Sequence, residues 1–317
     1  MPAISVTAPA RLHLGFLDLN GALGRRYGSI GLAVDGPVTR VRITPAQSWT
    51  FEGAERERAE KIARRFAAFA GIATSPLSVE VREAIPAHAG LGSGTQLALA
   101  IGTSILRLAQ RDVPIPALGE VVERGARSAI GIAAFQTGGF IVDGGRGPSE
   151  AAPPVVSRLP FPDAWRILLV LDPRETGVHG EKETTAFKAL PAFPDALAGH
   201  LCRLTLMRLL PGLAEQDLTE FGAALSEIQS AVGSHFAAAQ GGSPWSSPAV
   251  GRLVNRLGTL GAKGLGQTSW GPTGFAFVDS EAAAQRLYSS LVEEAKAEGL
   301  QMRIVRGRNA GAEIQVS

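Results

Sequence analysis

Pro86-Ala-His-Ala-Gly-Leu-Gly-Ser-Gly-Thr-Gln96 is the stretch on which the reading of this chain turns. Before it, Leu77-Ser-Val-Glu-Val81 alternates apolar and polar residues like a half-buried strand. After it, Leu97, Ile101, Ile105 and Leu108 recur at helical spacing up to the break at Pro114. Three glycines within five residues therefore stand where a strand gives way to a helix. The first N–H groups of such a helix have no intrahelical acceptor, and its dipole places about half a positive charge there. That geometry holds phosphate or diphosphate without a basic side chain. A tight turn in which glycine only frees the backbone would give the same spacing.

Working outward, Ile4–Thr7, Leu12–Leu17 and the alternating Thr39-Arg-Val-Arg-Ile43 read as strands. Arg56–Ala70 reads as a helix with Ile62, Phe66 and Phe69 on one face and Gly71 as its stop. A further helix over Leu118–Ser128 and a strand over Gly139–Val142 follow. Gly144-Gly-Arg-Gly-Pro-Ser-Glu-Ala-Ala-Pro-Pro154, with Pro160 and Pro162 beyond it, reads as a linker that divides the chain into units 1–155 and 156–317. The second unit begins with an apolar strand, Trp165–Leu171, followed by helical stretches near 195–210 and 215–232. A helix from the N-cap Ser247 to Leu260, a strand Gly274–Val278, a helix Glu281–Glu298 and a strand Met302–Val305 complete it. This order predicts an α+β sandwich with helices on one face of a sheet.

A length of 317 residues suits about two domains. A single thiol, Cys202, excludes intrachain disulfides and any cysteine-built metal site. The net charge of +2 is dispersed, which leaves no basic footprint for nucleic acid. No apolar run reaches the roughly 18 residues that span a bilayer, and the opening residues lack a basic-then-apolar leader pattern. The expectation is a cytoplasmic protein with no membrane partner.

Pro86-x-x-x-Gly-Leu-Gly-Ser-Gly94 resembles the phosphate-binding signature of the GHMP small-molecule kinase superfamily, usually Pro-x-x-x-Gly-Leu-Gly-Ser-Ser. Ala8-Pro-Ala-Arg-Leu-His-Leu-Gly15 is similar to that superfamily's first motif. Gly261-Ala-Lys-Gly-Leu-Gly-Gln-Thr-Ser-Trp-Gly-Pro272 is similar to its last. The resemblance implies an N-terminal domain like ribosomal protein S5 domain 2, a ferredoxin-like C-terminal domain, and a site in the cleft between them. Superfamily kinases that use a catalytic base carry an aspartate where this chain has Gly131-Ile-Ala-Ala-Phe-Gln-Thr-Gly-Gly-Phe140, which holds no carboxylate. Gln136 can orient a hydroxyl but cannot take its proton.

Leu17-Asp-Leu-Asn-Gly-Ala-Leu-Gly-Arg-Arg-Tyr-Gly-Ser-Ile-Gly-Leu32, Gly177-Val-His-Gly-Glu-Lys-Glu183 and Gln267-Thr-Ser-Trp-Gly-Pro272 resemble the β-ribofuranosylaminobenzene 5′-phosphate synthase family within that superfamily. The resemblance implies condensation of phosphoribosyl pyrophosphate with 4-aminobenzoate or 4-hydroxybenzoate, with release of CO2 and pyrophosphate, in tetrahydromethanopterin biosynthesis. It also implies Mg2+ and a homodimer. An ATP-dependent kinase and a non-catalytic phosphometabolite-binding protein stand as the alternatives.

On this resemblance Asp18 and Arg25 are the expected catalytic pair, in a loop with glycines at positions 21, 24 and 28. Asp18 would hold Mg2+ or support the developing cation, and Arg25 would grip phosphate or carboxylate. An Asx turn at Asp18-Leu-Asn-Gly21 or a surface ion pair is the structural alternative. Arg26 competes with Arg25 for substrate. Gly90, Leu91, Gly92, Ser93, Gly94 and Thr95 are expected to take the diphosphate. Glu181 and Glu183, on one side of an extended segment, would complete a Mg2+ site unless they only face solvent. His179 beside them is a weaker candidate ligand. Gln267, Ser269 and Trp270, on the turn that the superfamily folds over the phosphate side of the cleft, are the expected substrate contacts, Trp270 either stacking on the aromatic ring or filling the core. Lys263, Arg127 and Arg146 are candidates for the 5-phosphate or the carboxylate, or plain surface charges.

Overall fold

Residues 2–317 are described by a computed structural model, except 123, 124, 126, 149–151, 178–184 and 186–189. The two expected opening strands are one, β1 (Ile4–Asp18), whose register shifts at Pro9/Ala10 and His13/Gly15 let it stay paired with β2 (Tyr27–Pro45) along most of its length. β3 (Thr50–Gly53) leads to α1 (Arg56–Ala70), which stops at Gly71 in the left-handed conformation, φ 78°. β4 (Leu77–Glu83) precedes the glycine loop and α2 (Ser93–Leu108). On α1 the buried face is Ala59, Ala63, Phe66, Ala67 and Ala70. A Cβ at Gly102 of α2 would come within 2.5 Å of the Phe66 ring, so that glycine sets how closely the two helices approach.

α3 (Ile115–Val121) covers the first residues of the helix expected over 118–128, of which 123, 124 and 126 lie outside the described residues, and α4 (Ile130–Gln136) comes after it. β5 (Phe140–Asp143) and β6 (Val155–Leu159) follow. The first sheet runs β11–β1–β2–β4–β3, with β5 on β2 and β6 on β5, where β11 is Glu313–Val316. Residues 155–159 and 313–316 thus lie in the N-terminal sheet, although composition alone put a linker at 144–163 and everything after 155 in the second unit. Glycine and proline mark the turn at 144–147, while Val155–Leu159 still finds a ladder on an edge, where proline neighbours are tolerated.

The second sheet is antiparallel, in the order β10 (Gln301–Val305), β7 (Arg166–Leu171), β9 (Thr273–Val278), β8 (Lys263–Gln267). β8 falls inside a stretch that reads as a glycine-rich turn, because glycine hides strand character from sequence. Between β7 and β8 come α5 (Asp195–Leu204), a π-helical turn (Thr205–Leu209), α6 (Leu210–Ala214), α7 (Leu218–Phe236) and α8 (Pro248–Thr259). α9 (Glu281–Ala297) precedes β10. Caps fix the longer helices: Asp217 accepts from the Thr219 and Glu220 amides, Ser247 from Val250 and Ser280 from Ala283.

Helices cover both faces of this sheet, which corrects the one-face arrangement expected from element order. Leu168 and Val170 of β7 pack with α8 and α9, whereas Ile167, Leu169 and Leu171 join a core with Phe221, Leu225 and Ile228 of α7. That second core also takes Leu12, Leu14 and Phe16 of β1, so one continuous apolar body spans both sheets. Each fully buried Leu or Phe contributes about 1.5–3 kcal/mol, which fastens the two sheets into one unit. No helix among the described residues is long and apolar enough to cross a membrane.

Candidate active site

The glycine loop sits at this seam. Gly90 and Gly92 adopt φ values of 78° and 85°, which only glycine takes without strain. Gly92, which has no side chain to offer as a cap, is the N-cap of α2, and no acidic residue stands in the first turn. The carbonyl of Gly90 is held from two directions: Arg11 Nη1 donates to it, and Thr268 Oγ1 donates to it at 2.8 Å. Arg11 also places its side chain against Gly92, where an added Cβ would meet Arg11 Cγ at 3.1 Å and Nε at 3.3 Å. A guanidinium therefore lies at the positive end of a helix dipole. Such an arrangement favours an anion that both can share.

The late glycine-rich turn closes over the same loop. A Cβ on Gly90 would lie 2.3 Å from the Thr268 carbonyl oxygen, and one on Gly271 would lie 2.4 Å from the Gly90 nitrogen. Gly177 joins them, its N–H donating to the His88 carbonyl at 2.9 Å. Three segments far apart in sequence thus meet backbone to backbone, which explains their glycines.

Two residues after Arg11, His13 lies in β1 with 5% of its surface exposed. Its amide donates to Thr268 Oγ1 at 2.9 Å and its carbonyl accepts from Ser269 at 3.1 Å. Burial, reinforced by the charges of Arg11 and Arg127, lowers its pKa to about 3. The imidazole is neutral at ordinary pH, and its Nε2 is buried with no hydrogen-bond partner among the described residues. It borders a cavity of about 280 Å³ between β1, the second half of α7 and β8, walled also by Phe16, Gln229, Phe236, Trp245 and Gln267.

Gln229 fixes one wall. Its Nε2 donates to the Leu14 carbonyl at 2.7 Å and its Oε1 accepts from the Gln267 amide at 2.9 Å, tying β1 to β8. Gln267 and Ser269 line the cavity as well. The Gln267 side chain is spent on Ser246 and Gln240. Trp270 is 3% exposed and packs on Phe236 with ring centroids 4.3 Å apart. Its place is in the core beneath the turn, whereas Trp245 borders the cavity.

Asp18, Arg25 and Arg26 occupy the β1–β2 loop, where local bonds shape them. Asp18 Oδ1 accepts from the Asn20 and Gly21 amides at 2.8 and 2.9 Å, an Asx turn. Arg25 donates to the Gly144 and Gly145 carbonyls at 2.7 and 2.6 Å, and Arg26 Nε to Leu19 at 2.9 Å. The backbones of Arg26 and Arg146 pair across to the same turn. Among the described residues, no hydrogen bond or ion pair joins Asp18 to Arg25, or either to residues 90–95. Burial pushes the Cys202 thiol up, and the charge of Asp18 adds to it, which places this loop beside α5.

Asp143 ends β5 just beyond the segment without a carboxylate. It accepts from the Ser29, Gly145 and Ala129 amides and from Ser128 Oγ at 2.9–3.2 Å. Burial raises its pKa against the pull of those donors. Its oxygens are occupied in holding three segments together. His179, Glu181 and Glu183 lie outside the described residues. Among the described residues, no three His, Cys, Asp or Glu side chains converge as a metal site. Arg11 and His13 are the site residues that sequence reasoning passed over. Both stand in the opening motif, and their i, i+2 spacing on a strand was the available signal.

The GHMP kinases N terminal domain family matches residues 57–139, and the GHMP kinases C terminal family matches residues 209–297. Over 329 aligned residues the chain is 33% identical to beta-ribofuranosylphenol 5′-phosphate synthase of Archaeoglobus fulgidus, covering 99% of this chain and 100% of that protein. The chain belongs to the β-ribofuranosylphenol 5′-phosphate synthase family of GHMP proteins. The synthase of the same name from Methanothermobacter thermautotrophicus is 30% identical over 97% of each chain. Two solved structures share the fold of this family member. Homoserine kinase from Cytophaga hutchinsonii has a TM-score of 0.67 at 18% identity, covering 99% of this chain and 97% of that one. Mevalonate diphosphate decarboxylase from Staphylococcus aureus has a TM-score of 0.67 at 16% identity, covering 99% and 98%. The α+β GHMP fold expected from the glycine motifs is therefore the fold of this synthase-family chain.

Proposed function

We propose that this synthase-family chain transfers a 5-phosphoribosyl group from phosphoribosyl pyrophosphate to the carboxyl-bearing ring carbon of 4-hydroxybenzoate or 4-aminobenzoate, as a pentosyltransferase of tetrahydromethanopterin biosynthesis. The observation that carries this reading is the glycine loop whose uncapped helix start is joined by Arg11. In the proposed step the C1–O bond of the donor breaks with its electron pair leaving on diphosphate. The ring carbon forms the new C–C bond, and loss of CO2 returns an electron pair to the ring. No ring proton has to be removed, so the chemistry accords with a segment 131–140 that lacks a carboxylate and an Asp143 whose oxygens are already bonded.

The residues divide the work. The amides of Gly90–Gly94 and the hydroxyls of Ser93 and Thr95 bind the departing diphosphate, with Arg11 neutralising charge as it develops. Gln267 and Ser269 set the acceptor's position through the turn they belong to. Asp18 stabilises the cationic sugar carbon, and Arg25 with Arg26 holds the loop that carries it against the 144–146 turn. Mg2+ would neutralise the departing diphosphate, with Asp18, Glu181 and Glu183 as the residues that would hold it. A cytoplasmic homodimer acting on small molecules, without nucleic acid or membrane, belongs to the same proposal.

The name of the relatives denotes a phenol product, which 4-hydroxybenzoate would yield and 4-aminobenzoate would not. The test therefore starts with carboxyl-labelled 4-hydroxybenzoate, phosphoribosyl pyrophosphate and Mg2+, counting CO2 and pyrophosphate. Equal release of both is the expected result. ATP turnover on an alcohol with neither product would install the kinase reading, and donor binding without any turnover would install the binding-protein reading.

A further inference from the structure

We infer that residues 241–246, between the helical turn Ala237–Gln240 and α8, form a hinged strap over the cavity, and that Ser246 couples its closure to an anion on the glycine loop. This goes beyond the transferase reading and rests on it only for the anion site at residues 90–95.

The strap is one wall of the cavity of about 280 Å³, which Pro244 and Trp245 line together with Phe16 of β1, Phe236 of α7 and Leu265 of β8. It is seated on a glycine of each neighbouring helix. A Cβ on Gly233 of α7 would meet Pro244 Cβ at 3.3 Å, and one on Gly251 of α8 would meet Trp245 Cγ at 2.6 Å. Seats of this kind hold by contact alone, which a small displacement forfeits. At the start of the strap Gly241 and Gly242 take φ values of 69° and 87°, and a Cβ added to either would meet nothing within 4 Å. The chain can pivot there without collision.

The far end is a latch with two possible partners. The Ser246 amide donates to Gln267 Oε1 at 2.9 Å, while its hydroxyl stands 2.6 Å from Gln240 Oε1 and 3.2 Å from the Trp270 carbonyl. One hydroxyl proton serves one acceptor well. Given to Gln240 it ties the strap to the turn that follows α7; given to Trp270 it ties the strap to the late glycine-rich turn. Gln240 Nε2 is buried and has no acceptor among the described residues, a cost that opening to water returns. The late turn in turn clamps the glycine loop, since Thr268 Oγ1 donates to the Gly90 carbonyl and a Cβ on Gly271 would lie 2.4 Å from the Gly90 nitrogen. An anion drawn to the loop amides tightens that clamp, and Trp270, next in the chain to Gly271, passes the shift to Ser246. The cavity then loses its water when the loop is filled.

The experiment uses inorganic diphosphate as the probe, with its affinity measured by calorimetry. Hydrogen exchange of peptides spanning 241–247 reads the strap, and so does acrylamide quenching of Trp245 in a Trp49→Phe background, where Trp165 and Trp270 are buried. Diphosphate is expected to slow exchange across the strap about fivefold or more and to reduce quenching. Ser246→Ala should abolish both responses while diphosphate affinity stays within about threefold. Gly242→Ala, whose new methyl meets no atom, should disfavour the closed turn and speed exchange at the same affinity, and it carries the test if the Ser246 variant does not fold. Diphosphate that binds wild type and leaves exchange and quenching unchanged would overturn the strap and spare the anion site. Responses that survive intact in both variants would overturn the hinge and the latch. Failure of wild type to bind diphosphate would overturn the strap together with the anion site, and CO2 release in the turnover assay would then judge the transferase reading separately.

Discussion

Thr268 Oγ1 donates a 2.8 Å hydrogen bond to the carbonyl of Gly90, across 178 residues of sequence. The same oxygen accepts from the His13 amide at 2.9 Å, so one hydroxyl joins the late turn, the glycine loop and β1. Thr268→Val keeps the shape and removes both bonds. It leaves a buried amide without an acceptor, at a cost of about 1–3 kcal/mol in urea unfolding. Diphosphate affinity should fall with it, read by calorimetry. Unaltered affinity in a folded Thr268→Val would detach the turn from the loop's function.

Gly90 and Gly92 separate packing from binding. Gly90→Ala drives a Cβ to 2.3 Å from a backbone oxygen at a positive φ, so a loss of roughly 3 kcal/mol or more is expected in chemical denaturation. At Gly92 the nearest atoms belong to the flexible Arg11 side chain, so the stability loss should be smaller. Gly92→Val should instead block diphosphate by covering the amides. Normal diphosphate binding to Gly92→Val would move the anion site elsewhere.

Arg11 and Arg25 should behave differently. Arg11→Ala is expected to weaken diphosphate binding by about ten- to a hundredfold and to flatten its salt dependence. Arg25 is exposed, and among the described residues its side chain bonds to the backbone carbonyls of Gly144 and Gly145. Arg25→Ala should lower turnover while shifting unfolding by less than about 1.5 kcal/mol. Full turnover in that variant would remove Arg25 and its loop from the mechanism.

His13 gives the fold an acid sensitivity. In the unfolded chain its imidazole takes a proton near pH 6.5, but in the native state only near pH 3. Between those values the unfolded state binds more protons, so stability is complete above about pH 6.5 and declines as pH falls toward 3. The part due to His13 amounts to ~2–3 kcal/mol between pH 7 and 4.5. Urea unfolding of wild type and His13→Gln at both pH values isolates it by subtraction. An identical pH slope in the two proteins would mean that the native imidazole already carries its proton.

Trp270 should act as a core residue. Trp270→Ala is expected to cost about 3–5 kcal/mol, because it removes a buried ring packed on Phe236. Trp245→Ala, on the cavity wall, should cost less stability and more acid binding. The opposite pattern would return the stacking role to Trp270.

The chain's local chemistry was legible from residue order. Alternation marked β4, 3.6-residue spacing marked α1 and α2, Ser247 announced its helix, and the three glycine motifs carried the family and its α+β fold. These signals are local, since each depends on neighbours within a few residues of the chain. Distance along the sequence hid the rest. Nothing near Arg11 or His13 shows that one will grip a carbonyl 79 residues away and the other will border a cavity built largely by α7 and β8. Packing set Trp270 under a turn and gave Asp143, which the sequence reading did not weigh, four donors. β6 and β11 joined the first sheet because ladder pairing follows the edge that is free, not the order of the chain. Sequence determined which segments form and which backbone can approach closely. Tertiary structure alone decided which side chains share a space, because burial and unmet hydrogen bonds exist only once distant segments have met.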